Sequence, residues 1–360
     1  MMKTKGFVTS LVLAGLAVAC GDAPPSASSS DDDIVGGVDA RGRALDAVGY
    51  LYAMKADGTG GGSCSATLIA PNLVLTAKHC VLADLASGST QTVLDAGGKL
   101  GFRIGSDARA STRDFFAATV QTCALGVGGS AALGCDVAVI RLSESVTDVT
   151  PIAVAPQALG SDRLGQSFTA VGFGTQDAPS TVFGTRKMAS LKLQATTGAG
   201  LHATFPTFAE FAAFVDRTEG AGFAESQPFY QQRYDQPLLE GYEAQLGGAN
   251  GNAQVCHGDS GGPLLKVVDG KLTVWGVAST VVSGVKQVCT NAGAVYATFG
   301  PDAQALFASA AHDPCEGVPA NGCDGDTAVR CSRADEGERR IVRTDCSMLA
   351  QRCDAAACVD

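Results

Sequence analysis

From Ile34 to about Phe299 the chain alternates short apolar runs with clusters of Gly, Ser, Asp and Pro, a pattern that predicts many short strands. Leu68-Ile69 and Leu73-Val74-Leu75 lead up to His79, and Val137-Ala138-Val139-Ile140-Arg141-Leu142 follows Asp136. These runs are nearly continuous instead of alternating, so they read as strands covered on both faces. The pattern falls into two parts, one from residue 34 to about 150 and one from 151 to about 300. Residues 168–173, 271–279 and 295–299 are predicted strands of the second part. Helical periodicity interrupts it at Phe208, Phe211 and Phe214, and residues 301–311 predict a helix with Pro301 at its start.

Different patterns flank this region. Lys3 and Lys5 precede an apolar core from Phe7 to Ala19 that is too short to span a bilayer, which marks residues 1–20 as a targeting segment. Ala17-Val18-Ala19 suits ordinary signal cleavage. The same stretch with Cys20 also resembles a bacterial lipobox, although Ala17 stands where leucine is usual. Residues 21–33, with Pro24-Pro25, a serine run and Asp31-Asp32-Asp33, have nothing to build a core and read as a tether or propeptide. Residues 312–360 carry six cysteines (315, 323, 331, 346, 353, 358) and almost no large apolar side chains. Such a segment must draw its stability from disulfides and reads as a small cysteine-rich module, a surface or partner binder or a stabilising end to the chain. Its spacings are not those of a zinc site.

Composition narrows the class. The 360 residues carry a net charge of −10 with 17% charged residues and 45 glycines, which argues against a nucleic-acid partner and for a loop- and strand-rich protein. Setting Cys20 aside, the 13 cysteines divide into six before the tail and six within it. An even division fits disulfides in an oxidising compartment and leaves Cys20 free for lipidation. The expected location is the exterior or envelope of a bacterial cell.

The chemistry concentrates in three segments. Val255-Cys256-His257-Gly258-Asp259-Ser260-Gly261-Gly262 places a serine on a glycine-flanked turn, where its hydroxyl can be free and the N–H groups of Gly258 and Ser260 can converge on an oxyanion. Thr76-Ala77-Lys78-His79-Cys80 puts a histidine at the end of a buried strand, suited to a general base. Asp136 stands at the mouth of another buried strand, where a carboxylate is costly unless paired, and an imidazole nitrogen is a natural partner.

Taken together, the order His79, Asp136, Ser260 and the segment Ile34-Val35-Gly36-Gly37 resemble the chymotrypsin/trypsin family of serine proteases over about residues 34–311. The resemblance implies an all-β fold of two six-stranded antiparallel barrels, about 34–150 and 151–300, closed by a helix at 301–311, with the cysteine-rich module following. It implies a catalytic triad of His79, Asp136 and Ser260, an oxyanion hole at Gly258 and Ser260, and disulfides Cys64–Cys80 and Cys256–Cys289. Cys123 and Cys135 remain to pair with each other. It also implies a zymogen in which a freed Ile34 amine pairs with Asp259. The chain departs from the pattern here, because Asp33 precedes Ile34 where activators usually find Arg or Lys. At the specificity pocket, Gln254, Val281 and Ala294 occupy the floor and walls, which points to an uncharged, small or medium side chain before the scissile bond.

No cofactor or metal is required by this chemistry. The expected partners are a protein or peptide substrate, an activating protease, and a surface partner for the cysteine-rich module. Membrane contact would come only through a lipid on Cys20. Two other functions fit the same residues: an unprocessed, inactive binding protein on a protease scaffold, and an acyl transferase or esterase using the same serine.

Overall fold

The apolar runs close into two barrels in a computed structural model that describes residues 34, 37–84, 90–124, 134–175, 183–248, 254–281, 293–312, 318, 322–331 and 341–360. A short strand β1 (Val38–Asp39) leads in. The first barrel is built from β2 (Val48–Met54), β3 (Gly60–Ala70), β4 (Leu73–Thr76), β5 (Lys99–Ile104), β6 (Arg113–Thr122) and β7 (Ala138–Leu142), closed in the order β2-β3-β4-β7-β6-β5. All pairings are antiparallel. Every residue of β4 and β7 is buried, which is why these two strands are apolar without alternation.

The second part contains β8 (Ala153–Val154), β9 (Ser167–Gly172), β10 (Lys187–Ala195), β11 (Glu243–Leu246), β12 (Pro263–Val268), β13 (Lys271–Val281) and β14 (Ala294–Thr298). Six of them run β10-β11-β14-β13-β12-β9, and pairing of β9 with β10 closes the ring. β1 adds to β10, so the segment after Ile34 lies on the second barrel. The strands expected at 168–173, 271–279 and 295–299 are β9, β13 and β14, each within two residues of the expected bounds at either end. One apolar cluster runs through both barrels and includes Ile34.

Between β10 and β11 the chain builds a helical insertion: a 3-10 turn (Gly200–Ala203), α1 (Phe208–Glu219), α2 (Phe223–Ser226) and α3 (Pro228–Asp235). The periodicity at Phe208, Phe211 and Phe214 belongs to α1. Its start is fixed by a capping box: the Thr207 hydroxyl accepts from the Glu210 N–H, and the Glu210 carboxylate accepts from the Thr207 N–H. The insertion has its own core, in which Phe205, Phe211, Phe214, Tyr230 and Tyr234 pack together.

Helix α4 (Pro301–Ala311) leaves the second barrel and packs on the first. Buried Arg141 of β7 donates to the carbonyls of Ala310 and His312, placing a cation at the C-terminal end of the helix. The tail forms a three-stranded antiparallel sheet, β15 (Cys323–Asp324), β16 (Thr327–Cys331) and β17 (Ile341–Asp345), and a hairpin, β18 (Arg352–Asp354) and β19 (Ala357–Val359). Disulfides Cys323–Cys353 and Cys346–Cys358 tie the hairpin to the rest, and Val329 and Cys346 are its fully buried centre. Cys331 is also disulfide-bonded, while Cys315 lies outside the described residues. So do Cys20 and the whole of residues 1–33. Among the described residues no helix is long and apolar enough to cross a membrane.

Candidate active site

Asp136 is fully buried just before β7, and three hydrogen bonds compensate its charge. Its Oδ1 accepts the His79 backbone N–H at 2.9 Å. Its Oδ2 accepts from His79 Nδ1 at 2.8 Å and from the Ser279 hydroxyl at 2.7 Å. Burial pushes the Asp136 carboxyl up, but His79 and these hydrogen bonds outweigh it and hold the group below its ordinary value. Burial likewise pushes the His79 imidazolium down, and the Asp136 charge and hydrogen bond more than reverse that, leaving it above its ordinary value. With Nδ1 committed to Asp136, Nε2 is the nitrogen left for chemistry. It lies 3.7 Å from Cys80 Sγ.

Ser260 sits on a turn whose shape needs its glycines. Gly258 (φ +95°) and Gly261 (φ +77°) lie in the left-handed region, and a Cβ on Gly261 would come within 2.1 Å of Thr76 Oγ1. The turn is pinned to the first barrel by Ser65 of β3. Its N–H donates to the Ser260 carbonyl at 2.8 Å, and its hydroxyl donates to the Gly258 carbonyl at 2.9 Å and accepts the Phe173 N–H at 2.9 Å. The N–H groups of Asp259, Gly261 and Gly262 are all taken by backbone carbonyls. Those of Gly258 and Ser260 have no partner among the described residues. The Ser260 hydroxyl makes no hydrogen bond among them either. It opens, with His79, Gly258 and the Cys64–Cys80 disulfide, onto one cleft of about 950 Å³. Catalytic hydrogen bonds of this kind are often loose before substrate arrives.

A buried carboxylate–imidazole pair from one barrel faces a glycine-bounded serine turn from the other. Residues 34–198 match the trypsin family. The enzyme class is serine-type endopeptidase, a hydrolase. The matched stretch carries His79 and Asp136 and stops short of Ser260, which the second barrel brings to the same cleft. No curated protein matches the chain.

Disulfides lie beside this site. Cys64–Cys80 flanks His79 and Cys123–Cys135 closes a loop next to Asp136. Cys256 is disulfide-bonded, and its expected partner Cys289 lies outside the described residues. A smaller cavity of about 180 Å³ lies beside Ser260, lined by Val255, Ala278, Thr280 and Val281 among others. Of the three expected specificity residues only Val281 lines it. Ala294 is buried in β14 opposite Val281, and Gln254 is buried with Nε2 donating to the Gly293 carbonyl at 2.8 Å. One of its two amide hydrogens is therefore held by the protein's own backbone.

Asp259 is buried behind the turn, accepting the Gly174 N–H and the Cys256 N–H at 2.8 Å each, and no cation reaches it among the described residues. Burial pushes its carboxyl up to about 6, against the pull of those two N–H groups. Its folded value lies above the unfolded one, so the folded chain binds this proton more tightly and stability falls as pH rises from about 4 to about 6. In the uncut protein this loss should reach up to about 3 kcal/mol, read as a falling denaturant midpoint across that window. A midpoint that rises steadily over the same range in an uncut Asp259→Asn control as well as in the parent would show that other groups control it.

Sequence reasoning did not single out Ser65, Ser279 as an Asp136 ligand, or the buried charges Lys78 and Glu243. Small hydroxyl residues carry no local mark of a partner more than 100 positions away. A charged residue in a short strand ordinarily reads as exposed.

Proposed function

We propose that the chain is a serine endopeptidase in which Ser260 is the nucleophile, His79 the general base and then acid, and Asp136 the group that orients and stabilises the imidazolium. Ser260 attacks the peptide carbonyl while His79 takes its proton. The oxyanion is held by the Gly258 and Ser260 N–H groups, and His79 passes the proton to the leaving amine. Water, deprotonated by His79, then releases the acyl group. The observation that carries this reading is the Asp136–His79 pair facing a turn on which the Gly258 and Ser260 N–H groups have no partner among the described residues. A fluorophosphonate should label protein that begins at Ile34 with one adduct per chain, located on Ser260 by peptide mass mapping. Absence of label, or label elsewhere, would reject the assignment.

The protein is made as a zymogen whose cut before Ile34 is performed by a protease that accepts Asp33. Support comes from Asp259, which no cation reaches among the described residues, and from Ile34, which is buried in the shared core. Secretion follows from residues 1–20. If Cys20 is lipidated, the cut severs the anchor and frees the enzyme.

Substrate preference follows from the small cavity. An uncharged, small or medium side chain before the scissile bond fits it: Val281 narrows it, and Asp259, the carboxylate in its described lining, already accepts the Gly174 and Cys256 N–H groups and is reserved for the Ile34 amine. Peptide-library profiling should show this preference, and Val281→Gly should improve kcat/KM for large apolar side chains by roughly tenfold. Selective cleavage after Arg or Lys would overturn the pocket assignment.

A further inference from the structure

Two charged side chains are buried close to Asp136 and take no part in the chemistry above. Glu243, on β11 of the second barrel, is 1% exposed. Its Oε1 accepts the Gly134 N–H at 2.8 Å and its Oε2 accepts the Leu239 N–H at 2.8 Å. Gly134 lies two residues before Asp136, whose own N–H donates to the Gly134 carbonyl at 2.9 Å. Leu239 lies where the chain returns from the helical insertion, and the Glu243 N–H donates back to its carbonyl at 2.9 Å. One carboxylate therefore spans two backbone segments, the loop that carries Asp136 on the first barrel and the exit of the insertion on the second. On the other side of that loop, buried Lys78 donates from Nζ to the Cys123 carbonyl at 2.8 Å, and Cys123 is bonded to Cys135, between Gly134 and Asp136.

We propose that Glu243 is a positioning residue for the triad: it docks the Gly134–Asp136 loop onto the second barrel and thereby sets where Asp136 and His79 stand relative to Ser260. The proposal rests on the triad reading above. Its chemistry is specific to a carboxylate. Both segments present N–H donors, and a carboxylate offers an acceptor to each, whereas a glutamine would turn an NH₂ toward one of them. An aspartate keeps the charge but is one methylene too short to span both. The charges around the loop are His79 and Lys78 from the turn after β4, Asp136 itself, Glu243 from β11 and Arg233 from α3. Burial raises the Glu243 carboxyl, and the Leu239 and Gly134 N–H groups and Arg233 pull it back. Lys78 is lowered by burial and raised by the Asp136 charge.

A residue that merely stabilised the fold would lower the melting temperature without touching turnover. The test uses full-length protein processed at Ile34, with Glu243→Gln and Glu243→Asp. Both should lose kcat by roughly 10- to 100-fold, as expected for a slightly misplaced catalytic group, with KM changed less than about twofold. The acid limb of the kcat/KM profile should move to lower pH in both, because a displaced Asp136 holds the imidazolium less well. A folded Glu243→Gln protein with parental kcat and an unmoved acid limb would overturn the proposal, and so would a lowered melting temperature alone. Hydrogen exchange on the unmutated protein gives a reading that needs no variant: the Gly134 and Leu239 amides should both be strongly protected, and free exchange at Gly134 would count against the clamp. If the triad reading itself is wrong, the unmutated protein will not be labelled on Ser260, and this proposal falls with it. That outcome is distinct from labelled protein that tolerates Glu243→Gln.

Discussion

Ser260→Ala should lower kcat by roughly 10⁶-fold while leaving the fold and substrate affinity nearly intact. The size follows from the mechanism. The acyl-enzyme route needs a covalent acceptor, and the remaining oxyanion donors and binding contacts supply only the residual rate. Asp136→Asn should cost less, roughly 10⁴-fold, because the amide can present a donor where Oδ2 now accepts from both His79 Nδ1 and the Ser279 hydroxyl. The imidazole would then favour the tautomer with its proton on Nε2, facing the wrong way for general-base catalysis. Steady-state turnover of a fluorogenic peptide checks both; Ser260→Ala should keep the parental melting curve, while Asp136→Asn, which disturbs buried hydrogen bonds, should melt somewhat lower. Equal losses in both, or activity surviving Ser260→Ala in protein free of contaminating protease, would be incompatible with the assigned roles.

Cleavage between Asp33 and Ile34 should raise activity by at least about 10²-fold, the magnitude of an oxyanion donor gained. The route is electrostatic. β1 runs beside β10 with Asp39 opposite Lys187, and Lys187 stands opposite Gly172 on β9. A Cβ on Gly172 would lie 2.1 Å from Asp259 Oδ1, so the carboxylate sits directly against that strand. A chain beginning at Ile34 thus starts within a few residues of the buried acid, and its ammonium can pair there once the preceding peptide bond is gone. Pairing would bring the Asp259 carboxyl down from about 6 and reverse its pH dependence, so stability of the cut form should be lost as pH falls through the new, lower value. Active-site titration before and after cutting measures the gain. One extra residue ahead of Ile34, or Asp259→Asn, should cancel it. Undiminished activity in the Asp259→Asn protein would mean that the turn around Ser260 orders itself without this ion pair.

The three side chains proposed as the triad were legible because each sits where a local pattern breaks. His79 ends an apolar run, Asp136 begins one, and Ser260 stands in a glycine cluster that no ordinary strand needs. The barrels were legible in outline from strand patterning and the family resemblance. The helical insertion was not, apart from α1. Helix α3 has aromatic residues at 229, 230 and 234 on a largely polar background, so its burial arises from docking on α1 and not from its own periodicity. Glu243 and Lys78 were hidden for a related reason. Glu243 meets Gly134 of the opposite barrel and Lys78 meets Cys123, 45 positions away, and nothing within a few residues of either records that. For Gln254 the sequence suggested a place at the pocket floor but could not show that its Nε2 donates to the Gly293 carbonyl.

The embrace of Arg141 by α4 bears on how the molecule comes into being. The carbonyls it meets are 169 and 171 positions further along the chain. A ribosome delivers the first barrel, with His79 and Asp136, long before Ser260 and longer still before the helix that caps Arg141. During that interval the Arg141 guanidinium lacks these two acceptors, and the flank of the first barrel that α4 covers stays open to water. Chains released early by truncation would therefore be unfinished in two places at once, lacking both the nucleophile and the clasp. For a protease this late joining acts in time, separately from any propeptide: the first barrel alone lacks both Ser260 and the acceptors of Arg141.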